Sequence, residues 1–213
     1  MEESMKSAAA TKFWDFIANF YARQKVGDQD AYQFKLDATE KLLNKESAVF
    51  EFGCGTGSTA LYHAPKVRKI VAIDASQEMI RIAREKQKNA NAANVEFGVF
   101  DIQNYQNASE KFDVVLGLNI LHLVPNWQQT IAKVHDLLKP GGYFLSSTAC
   151  IGQSFFLKAL IPLGALGLLP KLQFIKANEL DRVLRDSGFE VLDSLAPGKD
   201  KNVQFVTAQK LSQ

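Results

Sequence analysis

Between residues 48 and 148, five short apolar runs (AVFEFG, KIVAID, NVEFGVF, FDVVLGL and YFLSST) alternate with segments of helical periodicity. Alternation of this kind predicts a parallel sheet covered by helices on both faces. Ser76 is placed to cap the helix after the second run, and Trp127, Ile131, Val134 and Leu138 form one apolar stripe after the fourth. KPGG, at 139–142, stops that helix. Farther on, Asn178 is expected to cap ELDRVLRDS and Gly188 to end it, with FEVLDSL and VQFVTAQ as strands six and seven. The link APGKDKN is too short for a parallel crossover, which needs about a dozen residues or more, so strand seven runs antiparallel. Upstream, KFWDFIANFYARQ and AYQFKLDATEKLL read as two helices, with Phe13, Ile17 and Phe20 close to one face and expected to pack on the sheet's flank.

One domain is expected over residues 1–213: a helical cap at 1–45, a cofactor-binding core at 46–148, an apolar lid insertion at 151–175, and a C-terminal helix and hairpin at 176–213. The net charge of +2 and the absence of a basic stripe interleaved with aromatics argue against a nucleic-acid partner. Cys54 and Cys150 belong to no metal or redox spacing, and MEESMKSAAATKFWDF lacks the apolar run of a secretory signal. A cytoplasmic protein with free thiols and no bound metal is the expectation.

The insertion, with Phe155, Phe156, Leu157, Leu160 and Ile161 among its apolar residues, reads as a lid over an apolar acceptor, a membrane- or partner-docking surface, or a membrane span. Gly152, Gly164, Gly167 and Pro162 disfavour a straight span, and a crossing between strands five and six would split the sheet. The lid ranks first; Lys158, Lys171 and Lys176 leave peripheral membrane contact open.

The stretch VFEFGCGTGSTA carries the candidate chemistry. A turn that leaves a strand and opens a helix presents backbone N–H groups, and its glycines admit a ligand close to the backbone. A dinucleotide fingerprint would place glycines at 53, 55 and 58, but position 58 is Ser58 and the third glycine is Gly57. Glu51 precedes the turn; a carboxylate about 4 Å from a phosphate costs about 4 kcal/mol at an effective dielectric of about 20. The turn therefore favours a ligand carrying positive charge. Asp74, at the end of the second strand, is placed to accept hydrogen bonds from two ribose hydroxyls. Asp101 closes the third strand, where it can accept from an adenine amino group beside the donor of the Ile102 backbone. Three acidic strand ends suit an adenosine with a cationic tail.

Through VFEFGCGTG, VAIDASQEMI, FGVFDI, FDVVLGLNILHLV and LLKPGGYFLSS the chain resembles the class I S-adenosylmethionine-dependent methyltransferases, from about Val49 to the C-terminus. The resemblance implies an α/β, Rossmann-like seven-stranded sheet, mostly parallel with an antiparallel strand 7, helices on both faces and strand order 3-2-1-4-5-7-6. It implies S-adenosyl-L-methionine as cofactor and S-adenosyl-L-homocysteine as product. Glu51, Gly53 and Gly55 would surround the methionine moiety, Asp74 the ribose, and Met79 the adenine. Asp101 and Ile102 would flank the adenine edge, with Leu118 and Asn119 at the methionine end.

A sulfonium methyl is already activated, so the expected task is to align a nucleophile with it and exclude water. His122 is the candidate base, set against a histidine that merely bonds its own loop; His63 and His135 read as structural, His135 on an exposed helix face. LNILHLV replaces the Asn/Asp-Pro-Pro-aromatic signature of amino-group methyltransferases acting on DNA. The function expected is methyl transfer to a small, apolar acceptor. A nicotinamide-dependent oxidoreductase and a non-catalytic cofactor-binding scaffold are the alternatives.

Overall fold

The computed structural model describes residues 2–24, 26–106, 110–150 and 172–212, with residues 2–10 by backbone alone. Seven strands, β1 (Ala48–Phe52), β2 (Lys69–Asp74), β3 (Val95–Val99), β4 (Phe112–Leu118), β5 (Leu138–Ala149), β6 (Phe189–Leu195) and β7 (Val203–Lys210), form one sheet. Their order is β3-β2-β1-β4-β5-β7-β6, as expected, with β1 to β5 mutually parallel and β7 antiparallel to both β5 and β6.

The continuous apolar runs arise because alternate residues enter two different cores. Phe50, Phe52 and Val115 pack with Ile131, Val134, Leu180 and Leu184, from α5 (Trp127–Leu137) and α6 (Ala177–Asp186). Val49, Ile70, Ala72 and Leu116 pack on the other face with Ala60, Ile80 and Ala83, from α3 (Ser58–His63) and α4 (Gln77–Ala90). Ser76 caps α4 by accepting the Met79 N–H at 3.1 Å. His63 is fully buried in α3, where burial pulls its pKa down to about 4 and keeps it neutral.

The N-terminal helices sit differently from the expectation. In α1 (Glu2–Arg23) the face that meets α4 is Trp14, Ala18 and Ala22 against Met79 and Ile82. The backbones approach where Ala18 has little side chain, so Phe16 (88% exposed) and Phe20 (67%) are turned away from the sheet. α2 (Gln29–Glu40) is capped by Asp28, whose Oδ1 accepts from Ala31 N–H and whose Oδ2 accepts from Lys199 N–H. That one carboxylate ties α2 to the β6–β7 loop.

Three further expectations need correction. Asn178 is not the cap of α6: the Lys176 carbonyl already accepts from Glu179 and Leu180, so the helix starts earlier and Asn178 lies inside its first turn. KPGG does follow the end of α5, but as an irregular start of β5, where pairing slips between Phe112–Leu138 and Val114–Tyr143. His135 is half-buried, its ring edge-on to Phe189 at 5.3 Å, because α5 continues under the start of β6. The lid reading of 151–175 falls largely outside the described residues. Among the described residues no helix is long and apolar enough to cross a membrane.

Candidate active site

Gly53, Gly55 and Gly57 all adopt positive φ (65°, 53° and 74°), so the turn after β1 folds only with residues that tolerate the left-handed region. Gly53 lies against the Ile120 side chain and Gly57 against Phe97 and Ala83, whereas a Cβ at Gly55 would meet nothing within 4 Å. The middle glycine therefore faces open space, the place where a ligand reaches the backbone. Asp74 braces this turn from the neighbouring strand: its Oδ2 accepts the Gly55 N–H at 2.8 Å and its Oδ1 the Ser76 N–H at 2.9 Å. Burial raises the Asp74 pKa, and those backbone donors oppose the rise.

Glu51 is 2% exposed, and its Oε2 has no hydrogen-bond partner. Burial, then the Asp74 charge, pushes its pKa up to about 8, against only the Ala60 N–H. A buried carboxyl with an unmatched oxygen calls for a donor or a cation, since leaving such a group unsatisfied costs about 1–3 kcal/mol. An ammonium group fits this position; a phosphate, which brings like charge, does not. The adenosyl compound implied by the sequence therefore fits the residues present.

Along the rim, Asp101 lies two residues beyond the end of β3; its Oδ1 accepts the Gln103 N–H and its carbonyl those of Asn104 and Tyr105. The Ile102 side chain is buried in the core. Met79 is 3% exposed and lies in the α1–α4 contact. Leu118 ends β4, and Asn119 follows it at φ 58°. The Asn119 Oδ1 accepts from Ser147 Oγ at 2.8 Å and from Lys35 Nζ at 3.4 Å.

His122 lies in a short 3-10 turn after β4, its carbonyl accepting Gln173 N–H at 2.7 Å and its Nδ1 accepting Ala149 N–H at 3.4 Å. Burial pulls its pKa down to about 4, so the ring is neutral. With Nδ1 accepting, the proton of the neutral ring sits on Nε2, the ring's donor position. That geometry gives His122 the properties of an orienting donor and removes the lone pair a base would need.

Three site residues escaped the sequence reading, all from the N-terminal helices. The Tyr21 phenol, on a residue 50% exposed, has its pKa raised by the burial of its inner part and then by the Asp74 charge. Tyr32 is raised by burial, while a hydrogen bond to Thr59 opposes the shift and the Glu51 charge adds to it. Lys35 is 7% exposed, on the inward face of α2 with Ala31, Leu36 and Thr39. The detectable signal was the spacing of Ala31, Lys35 and Thr39, which puts a lysine in the middle of an inward helical stripe.

A family profile described as a methyltransferase domain matches residues 23–194. The chain belongs to that methyltransferase family. The ubiquinone biosynthesis O-methyltransferase of Thiobacillus denitrificans is 31% identical over 193 residues, covering 86% of this methyltransferase and 80% of the relative. A highly reducing polyketide synthase of Fusarium mangiferae is 29% identical over 192 residues; the chain covers only 8% of that much longer protein. Among solved structures, the magnesium protoporphyrin IX methyltransferase of Synechocystis PCC 6803, with bound SAH, superimposes at a TM-score of 0.75 and 19% identity. That superposition covers 96% of this methyltransferase and 99% of the other chain.

Proposed function

We propose that this methyltransferase transfers a methyl group from S-adenosyl-L-methionine to a hydroxyl oxygen of a small organic acceptor. The single observation that carries the cofactor half is the unmatched Glu51 Oε2, within reach of the Asp74 charge and just before a turn whose middle glycine faces open space. When bound, the cofactor supplies a methyl on a sulfonium whose leaving group departs neutral. Glu51 pairs with its ammonium group, and Asp74 accepts from the ribose hydroxyls. Asp101, the Ile102 N–H and Met79 line the adenine side, and Leu118 and Asn119 the methionine end. The hydroxyl acceptor is supported by the named activity of the ubiquinone-biosynthesis relatives. An apolar acceptor, and peripheral membrane contact, rest on the composition of residues 151–175 alone.

Calorimetric titration separates this reading from its rivals. S-adenosylhomocysteine is expected to bind and NADH to give no heat; the reverse result overturns the cofactor assignment. Transfer of a labelled methyl group from S-adenosylmethionine to a panel of apolar phenols and alcohols tests the activity, and tight binding without transfer would favour a scaffold.

Glu51 gives the binding a pH signature. In the free protein its pKa is raised to about 8, so the carboxyl is mostly protonated at neutral pH. Pairing with an ammonium group favours the carboxylate, so binding at pH 7 releases a proton. The affinity for S-adenosylhomocysteine should rise with pH by up to about tenfold per unit below 8 and level off above it. Calorimetry at pH 7 in buffers of different ionisation heat checks the release, and Glu51→Gln should abolish it. Equal heats in all buffers for the unaltered protein would refute the pairing.

A further inference from the structure

Lys35 is a buried cation whose placement the cofactor site leaves unexplained. The residue is 7% exposed, and among the described residues its Nζ makes one hydrogen bond, donated to Asn119 Oδ1 at 3.4 Å. Among the described residues no carboxylate comes within 4.0 Å of it. An ammonium group offers three donors, and a buried one without a counter-charge is expensive to keep protonated. The groups facing Lys35 from the sheet are neutral: Asn119 after β4, and Ser147 of β5, which shares the same Oδ1. The charge acting on it is that of Asp28 at the N-cap of its own helix, and burial outweighs it, so the Lys35 pKa is lowered.

The position of the group matters as much as its state. β4 neighbours β1, and Ile120, the residue after Asn119, lies against Gly53 in the glycine turn. Lys35 and Asn119 thus stand over the strand ends on the β5 side of the cofactor turn, away from the ribose-binding Asp74. His122, whose Nδ1 accepts the Ala149 N–H, is held by the end of β5 on that same side.

We infer that Lys35 takes the proton from the acceptor's hydroxyl group as that oxygen attacks the methyl carbon. The inference rests on the proposed O-methyl transfer and names its base. The oxygen–carbon bond forms while the carbon–sulfur bond breaks, and the pair from the latter stays on sulfur, leaving a neutral thioether. The hydroxyl proton passes to the Lys35 amine, which becomes an ammonium and returns the proton to water before the next turnover. Asn119, held by Ser147, positions the amine.

Lys35→Met keeps the bulk and removes the lone pair; Lys35→Arg keeps a permanent charge and cannot accept a proton. Both should lower kcat by about 100-fold or more, with S-adenosylhomocysteine affinity within about threefold of the unaltered protein, a change of about 0.65 kcal/mol. They should also lose the limb of the kcat profile that rises with pH. Lysine labelled with ¹³C at Cε supplies a readout independent of activity. One resonance of the S-adenosylhomocysteine-bound protein, missing from the Lys35→Met spectrum, should titrate below the ordinary 10.5. A resonance at or above that value, or a Lys35→Met variant that turns over at the unaltered rate, overturns the inference while leaving O-methyl transfer standing. If the unaltered protein binds the cofactor but methylates no hydroxyl compound, the reading of the reaction fails and the inference with it.

Discussion

Replacing Asp74 with alanine is expected to weaken S-adenosylhomocysteine binding by roughly 150-fold or more while leaving the protein folded. The carboxylate is the assigned acceptor for the ribose hydroxyls, and hydrogen bonds to a charged group are worth about 1.5–3 kcal/mol each, so losing two removes about 3 kcal/mol or more. The substitution also frees the Gly55 and Ser76 N–H groups, which Asp74 holds at 2.8 and 2.9 Å, and loosens the turn that the ligand meets. The fold loses less, because burial already makes the ionised Asp74 costly, as the upward shift of its pKa shows. Calorimetry gives the affinity and thermal unfolding the stability; an alanine variant that binds within about threefold of the unaltered protein, a change of about 0.65 kcal/mol, would place the ribose elsewhere.

Gly57→Ala should have the opposite profile, acting on the fold. Position 57 is held at φ 74°, where a side chain costs about 1–2 kcal/mol. Its Cβ would come within 2.6 Å of Phe97 Cζ and 2.9 Å of Ala83 Cβ, both in the core between the sheet and α4. Overpacking adds about 1–3 kcal/mol, giving about 2–5 kcal/mol in all and a Tm lower by roughly 5–15 °C at this chain length. Gly55→Ala is the control: the backbone strain is similar but the space is open, so its stability loss should be smaller and its effect on ligand binding larger. Equal Tm values for the two variants would contradict this division of labour between the glycines.

The strands were legible because each run is governed by local pattern. AVFEF and FDVVLGL bury both faces, so their apolar character is nearly continuous, and the short APGKDKN link admits only an antiparallel strand 7. The glycine turn was legible for a similar reason, since it follows β1 directly and few residue types tolerate its positive φ, and Asp74 was legible as the last residue of β2. The orientation of α1 was not, since Phe13, Ile17 and Phe20 form as good an apolar stripe as the Trp14, Ala18 and Ala22 face. Only the close approach to α4 at Ala18 chose between them.

The amino-acid sequence by itself determined the sheet, its terminal hairpin and the acidic strand ends, all of which follow from periodicity, loop length and residue chemistry. The tertiary structure alone decided what those groups meet. It buried Glu51 with one unmatched oxygen, turned the acceptor face of His122 onto Ala149, and brought Lys35 to Asn119 across 84 positions of chain. Burial and long-range contact shift the proton affinities of these three side chains, and apart from the inward stripe that holds Lys35 neither is encoded in the spacing of neighbours.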